Sequence, residues 1–187
     1  IGRPASDLKQ AVEQDVIQPG RAVVLGCGTG TNAIYLAGQK FDVTGIDLAP
    51  RALARAKQKA AEADVAVRWL LADVTAPPDL EPFDFVFDRG CYHGVRRGNA
   101  AGYVAALRRL TRPGGHVLIL AGNANEERHY GPPRVKEEEI RGDFEEDFEF
   151  VWLKETKFDS SDEDRSGALA SRPRSKSGRA GPLRSTG

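Results

Sequence analysis

The stretch that decides the fold is Ala22-Val23-Val24-Leu25-Gly26-Cys27-Gly28-Thr29-Gly30-Thr31. Its first four residues are an unbroken apolar run, the pattern of a strand buried on both faces of a parallel sheet. Three glycines in five positions then allow the backbone to turn tightly and come close to a ligand. Ala33, Ile34, Leu36 and Ala37 follow at helical spacing. The loop therefore opens onto a helix N-terminus, whose backbone N–H groups favour a carboxylate or a phosphate.

Outward from this unit the alternation repeats. Phe41 to Ile46 predicts a second strand ending at Asp47, and Pro50 suits the first turn of a helix carrying Leu53, Ala54, Ala56 and Ala60. Val65 to Leu71 predicts a third strand ending at Ala72-Asp73, and Phe83 to Phe87 a fourth ending at Asp88. Tyr103, Val104, Ala106, Leu107 and Leu110 form a helical stripe, which Pro113-Gly114-Gly115 turns into a fifth strand, His116 to Ala121. A loop over 122–134, an acidic helix near 135–143 and a sixth strand from Phe148 to Thr156 complete the pattern. Upstream, Ser6 is read as the cap of an amphipathic helix bearing Leu8, Ala11, Val12 and Val16 that ends at Pro19-Gly20. Strands alternating with helices in this way predict an α/β fold with a doubly wound, mostly parallel sheet.

A chain of 187 residues with 40% hydrophobic and 29% charged residues suits one globular domain. No apolar run nears the ~20 residues that span a bilayer, and no secretion signal opens the chain. The chain lacks methionine and begins Ile1-Gly2-Arg3-Pro4, which reads as a processed or cut product. Its two cysteines, Cys27 and Cys91, suggest no disulfide framework, so a cytoplasmic location is expected. With His93, His116 and His129 they have no paired ligand spacing, and no metal site is expected.

Net charge is zero but unevenly spread. Residues 171–187 carry five basic residues and no acid, leaving 22 basic against 27 acidic in the rest. The body of the domain has no basic footprint, so nucleic acid is not an expected partner. From Asp159 onward Ser, Gly, Pro and Arg dominate. The expected organisation is thus a folded domain over 1–158 and a flexible basic tail over 159–187.

In a doubly wound sheet, ligands bind outside the carboxyl ends of the strands. Four ends here finish in something polar or glycine-rich: the Gly26–Gly30 loop, Asp47, Asp73 and Asp88. Asp47 suits the two hydroxyls of a ribose, and Asp73 the amino group of an adenine. Together they outline a pocket for an adenosine bearing an anionic tail, although both acids also suit plain helix caps. Arg89, Cys91, Tyr92 and His93 cluster just after the fourth strand. His93 reads either as a general base or as a loop histidine. His129-Tyr130 reads either as a substrate contact or as surface.

At these residues the chain resembles the class I S-adenosylmethionine-dependent methyltransferase family. The matching segments are VVLGCGTGT (23–31), VTGIDLAP (43–50), LLADV (70–74), FDFVFDRGCYH (83–93) and LTRPGGHVLIL (110–120). Their order over residues 20–156 is far more specific than the glycine loop alone. The resemblance implies a Rossmann-like fold, S-adenosylmethionine as cofactor, and methyl transfer to a small-molecule O, N or S acceptor by a monomer or homodimer. It places Gly26, Cys27, Gly28, Thr29 and Gly30 against the methionine moiety. Asp47 lies at the ribose, Asp73 with Val74 at the adenine, Asp88 near the sulfonium, and Leu48 beside Asp47 joins the cofactor-binding set. Arg89, Tyr92 and His93 become the catalytic candidates.

Two departures from the family stand out. An acid often found two positions before the first glycine is Val24 here, which weakens the hold on the cofactor's ammonium unless Asp88 or a backbone carbonyl substitutes. The family's antiparallel seventh strand would follow Gly167-Ala168-Leu169-Ala170, but Pro173 and the charges of SRPRSKSGR oppose it. That strand is therefore expected to be lost or altered. Two rival readings are a catalytically impaired binding protein of the same fold and an NAD-dependent oxidoreductase. The latter's GxGxxG pattern would need glycine where Thr31 stands.

Overall fold

The computed structural model describes residues 2–125, 133–157 and 165–173, with residues 156–157 and 165–173 described by backbone alone. The elements in chain order are α1 (Ser6–Glu13), β1 (Arg21–Leu25), α2 (Thr31–Gly38), β2 (Asp42–Asp47), α3 (Pro50–Glu62) and β3 (Arg68–Leu71). Then come β4 (Phe83–Arg89), α4 (Tyr92–Leu110), β5 (Thr111–Gly122), α5 (Glu137–Phe144), β6 (Phe148–Lys157) and β7 (Arg165–Pro173).

The sheet runs β3-β2-β1-β4-β5-β7-β6. The first five strands are parallel, and β7 is antiparallel to both of its neighbours. This is the doubly wound, Rossmann-like class that the alternation predicts. The strand order reverses between β1 and β4, so a crevice opens at their carboxyl ends. Period-two alternation sorts β1 between two cores. Val23 and Leu25 pack with Tyr92, Tyr103 and Leu107 of α4 and with Phe144 of α5. Ala22 and Val24 pack with Leu8 of α1 and with Ala33 and Leu36 of α2. Each core residue removed from water contributes roughly 1.5–3 kcal/mol, which makes burial of β1 on both faces the main anchor of the site.

Three expectations are corrected here. First, the seventh strand is present. Arg165–Pro173 fills the slot between β5 and β6. Only Ser166 to Ser171 pair with β5, while Arg165, Arg172 and Pro173 pair with β6 alone. Pro173 stands opposite Phe148, the first residue of β6, so its missing donor falls at the end of the ladder. The sheet thus continues past residue 158, and residues 174–187 lie outside the described ones.

Second, the segment after β4 is helical. α4 begins at Tyr92 and bends at Asn99 (φ −154°, ψ 63°) before continuing to Leu110. Third, Ser6 is the first helical residue of α1, not its cap, because Ala5 holds the capping position without a side-chain bond. α4 and α5 are locked by Arg96, which donates to Asp143 at 2.7 Å and to Glu139 at 2.9 Å.

Candidate functional site

The glycine loop is built by backbone geometry that side chains would obstruct. Gly26 has φ +57°, and a Cβ there would lie 2.6 Å from that of Cys91. Gly30 caps α2 in the left-handed region, φ +80°, with Trp69 and Ala56 pressed against it. The Cys27 N–H donates to the Ile46 carbonyl at 3.0 Å, which hangs the loop on β2. Asp47 completes the anchorage: one oxygen accepts the Gly28 N–H at 2.7 Å and the other the Ala49 N–H at 2.8 Å. Each carboxylate oxygen has two lone pairs, so both can still accept a ligand hydroxyl.

A cleft of about 240 Å³ lies over this loop. Arg3, Val24, Asn32, Thr31 and Arg89 join the loop residues in lining it. Arg3 reaches it because the segment ahead of α1 is docked onto α2, where the Ala5 N–H donates to Asn32 Oδ1 at 2.9 Å. Thr31 Oγ1 accepts from Lys59 Nζ at 2.8 Å, which adds positive charge behind the start of α2.

The expected site residues divide. Gly26 to Thr29 and Arg89 border the cleft, Gly30 turns the chain into α2 beside it, and Asp47 is tied to its floor. Leu48 is 64% exposed beside Asp47. Asp73 is exposed, with Oδ1 taken by the N–H and hydroxyl of Thr75 in a local turn. Val74 instead points into the core, so only its backbone is available to frame a ligand.

Asp88, Tyr92 and His93 are placed differently from their expected roles. Asp88 has no exposed surface. It accepts the Cys91 N–H at 2.8 Å, the Tyr92 N–H at 3.0 Å and the Tyr103 hydroxyl at 2.6 Å, so it caps α4 from inside the core. Burial pushes its carboxyl up to about 6 against the opposing pull of those three donors. Tyr92 is fully buried, packs on Tyr103 and Phe144, and donates its hydroxyl to Asp143 at 2.6 Å. His93 is buried and its Nδ1 accepts the Gly122 N–H at 2.8 Å. A neutral ring in that bond carries its proton on Nε2 and has no lone pair left to act as base.

The thiols are also quiet. Burial pushes Cys27 up to about 12, aided by the charge of Asp47. Cys91 is raised further by burial and by Asp88, Asp47 and Asp73, so both stay protonated and unreactive at neutral pH. His129 and Tyr130 lie outside the described residues. Among the described residues, no three His, Cys, Asp or Glu side chains converge as metal ligands, and no helix is long and apolar enough to cross a membrane.

Arg3, Thr31 and Asn32 were missed from the sequence. Thr31 and Asn32 follow the loop directly, so proximity alone could have flagged them. Nothing local signals Arg3, since its position depends on where α1 docks.

The methyltransferase domain family matches residues 22–115. Hemagglutinin 1 of Eikenella corrodens is 31% identical over 116 residues, 62% of this chain and 38% of that protein. Probable thiol methyltransferase 2 of Arabidopsis thaliana is 29% identical over 135 residues, 71% of this chain and 59% of that protein. This chain thus spans less than two thirds of either relative. A solved structure from work on the conversion of a disulfide bond into a thioacetal group during echinomycin biosynthesis superposes with a TM-score of 0.81. It is 26% identical, and the match covers 92% of this chain and 83% of the other.

Proposed function

This chain belongs to the methyltransferase domain family, and on that premise we propose that it uses S-adenosylmethionine to methylate a small-molecule O, N or S nucleophile. The observation that carries the reading is the cleft at the β1–β4 switch point, floored by the left-handed glycines Gly26 and Gly28 and held to β2 by Asp47.

The residues present fit this cofactor. The loop backbone and the start of α2 suit the amino-acid end, the remaining lone pairs of Asp47 suit the ribose hydroxyls, and Leu48 with Asp73 suits the adenine. When bound, the cofactor supplies a methyl group already activated by a positively charged sulfur. The protein's own task is then to hold the acceptor in line with that methyl and to exclude water. Arg89 borders the cleft from the end of β4 and is the candidate for orienting the acceptor. His93 and both thiols are poorly placed to remove a proton, so the rate follows the acceptor's own ionisation. We further place the protein in the cytoplasm as a monomer or homodimer that acts without nucleic acid, consistent with the acidic balance of residues 1–170.

Calorimetric titration with S-adenosylmethionine, S-adenosylhomocysteine and NAD tests the reading. Binding of the two sulfur cofactors and not NAD is expected, followed by product in a screen of thiol, phenol and amine acceptors. Binding of NAD alone would overturn it. Cofactor binding without any methylated product would favour a non-catalytic binding protein.

A further inference from the structure

We propose that Trp69 is a positioning residue for the cofactor: its indole holds the Gly30 end of the glycine loop, and with it the start of α2, where binding needs them. The proposal rests on the methyltransferase reading above.

The loop is hung unevenly. Its first residues are bonded to β2, the Cys27 N–H to the Ile46 carbonyl and the Gly28 N–H to Asp47. At the far end Gly30 bonds locally, donating to the Cys27 carbonyl at 3.0 Å and accepting the Ile34 N–H at 2.8 Å, and no side chain caps α2. What presses this end against the sheet is Trp69.

Trp69 comes from β3, in register with Gly45 of β2. A glycine inside a strand marks a close approach by another group. Gly45 is buried under the ring: a Cβ there would sit 2.7 Å from the ring edge and 3.0 Å from Cys27 Sγ. The same edge runs on to Gly30, where a Cβ would sit 2.6 Å from Cη2 and 2.9 Å from Cβ of Ala56 in α3. One ring therefore bridges β2, the loop and α3, with two missing side chains making the room. An indole turns about only two side-chain torsions, so it holds a fixed spacing between sheet and loop. Thr29, Thr31 and Asn32, on either side of Gly30, line the cleft, whereas Trp69 lines a separate surface groove. Its influence on binding passes through the loop. Removing the ring opens a void into which Gly30 and the start of α2 relax, and a small displacement at a binding surface costs affinity.

The test is calorimetry on the full chain with S-adenosylhomocysteine and with 5′-methylthioadenosine, which lacks the amino-acid end, paired with thermal melts. Read below the melting transition, Trp69→Val should weaken S-adenosylhomocysteine about 10-fold and move methylthioadenosine by less than about 2-fold. Trp69→Phe, with its shorter ring, should fall between, and it carries the test if the valine variant does not fold. Gly45→Ala should also weaken S-adenosylhomocysteine, by driving a methyl into the ring, and should do so less in the Trp69→Val background. A lowered melting temperature with S-adenosylhomocysteine affinity kept within about 2-fold would overturn the proposal, since the ring would then serve stability alone. Equal losses for the two probes, or the same effect of Gly45→Ala in both backgrounds, would overturn it too. Each of these outcomes leaves the methyltransferase reading intact. Failure of the wild type to bind either probe would instead remove that reading, and this proposal with it.

Discussion

Asp47 and Asp88 each sit at the carboxyl end of a strand in the same parallel sheet, yet one holds the loop that floors a cleft and the other is core. The difference lies in what the chain does next. After Asp47 it runs out through Leu48 and Ala49 to Pro50, whose missing N–H makes no demand on the carboxylate. After Asp88 it turns back at Gly90, φ +84°, and the first N–H groups of α4 fold onto the carboxylate. Tyr103, a few turns along the same helix, seals it with a hydroxyl. A strand-end acid thus stays beside the glycine loop or becomes a buried helix cap according to the turn that follows it.

The sharpest way to break this contrast is Asp88→Ala. It leaves two buried N–H groups and a phenol without an acceptor and should cost about 3 kcal/mol of stability. Cofactor affinity measured below the melting transition should stay within a few-fold. A stable variant that loses affinity would show that Asp88 serves the cleft after all. Asp47→Ala should show the reverse, weakening S-adenosylhomocysteine by about 100-fold, or ~2.7 kcal/mol, with a smaller loss of stability. Calorimetry paired with thermal melts separates the two.

Titration sharpens the same contrast. The Asp88 carboxyl is raised to about 6 in the fold by burial, whereas the unfolded chain titrates near ~3.9. The folded state thus binds the proton first, and the stability this contributes is complete below the unfolded value and lost as pH rises through about 6. The stability of the wild type relative to Asp88→Asn should fall by roughly 1–3 kcal/mol between about pH 4 and about pH 7. Urea melts across that range measure it, and a flat difference would mean the carboxyl is not raised. The smallest effect belongs to Tyr92→Phe. Losing the bond to Asp143 should cost about 1 kcal/mol, with no change in turnover for any acceptor found. A collapse in rate would return Tyr92 to the site.

Much of the fold was legible because its signals are local. The apolar run Ala22–Leu25, the glycines and Asp47 lie within one βαβ unit, so period and turn chemistry suffice to read them. Within the segment Asp88 to His93, Arg89 borders the cleft while Asp88, Tyr92 and His93 are buried, and that burial was not legible for the opposite reason. Its polar side chains look like a site, but Tyr103, Asp143 and Gly122 lie far along the chain and take up their hydrogen-bonding groups.

What the sequence determined by itself is the alternation of strands and helices, the glycine loop at the end of β1 and the kind of ligand such a loop admits. Those follow from backbone sterics and from burial patterns that repeat within a few residues. Only the tertiary structure decided that Asp88 and His93 are core, that Arg3 reaches the cleft and that β7 enters the sheet. Each of these depends on which distant segment supplies the partner. Hydrogen bonds, burial and strand pairing across such distances are settled only when the whole chain packs.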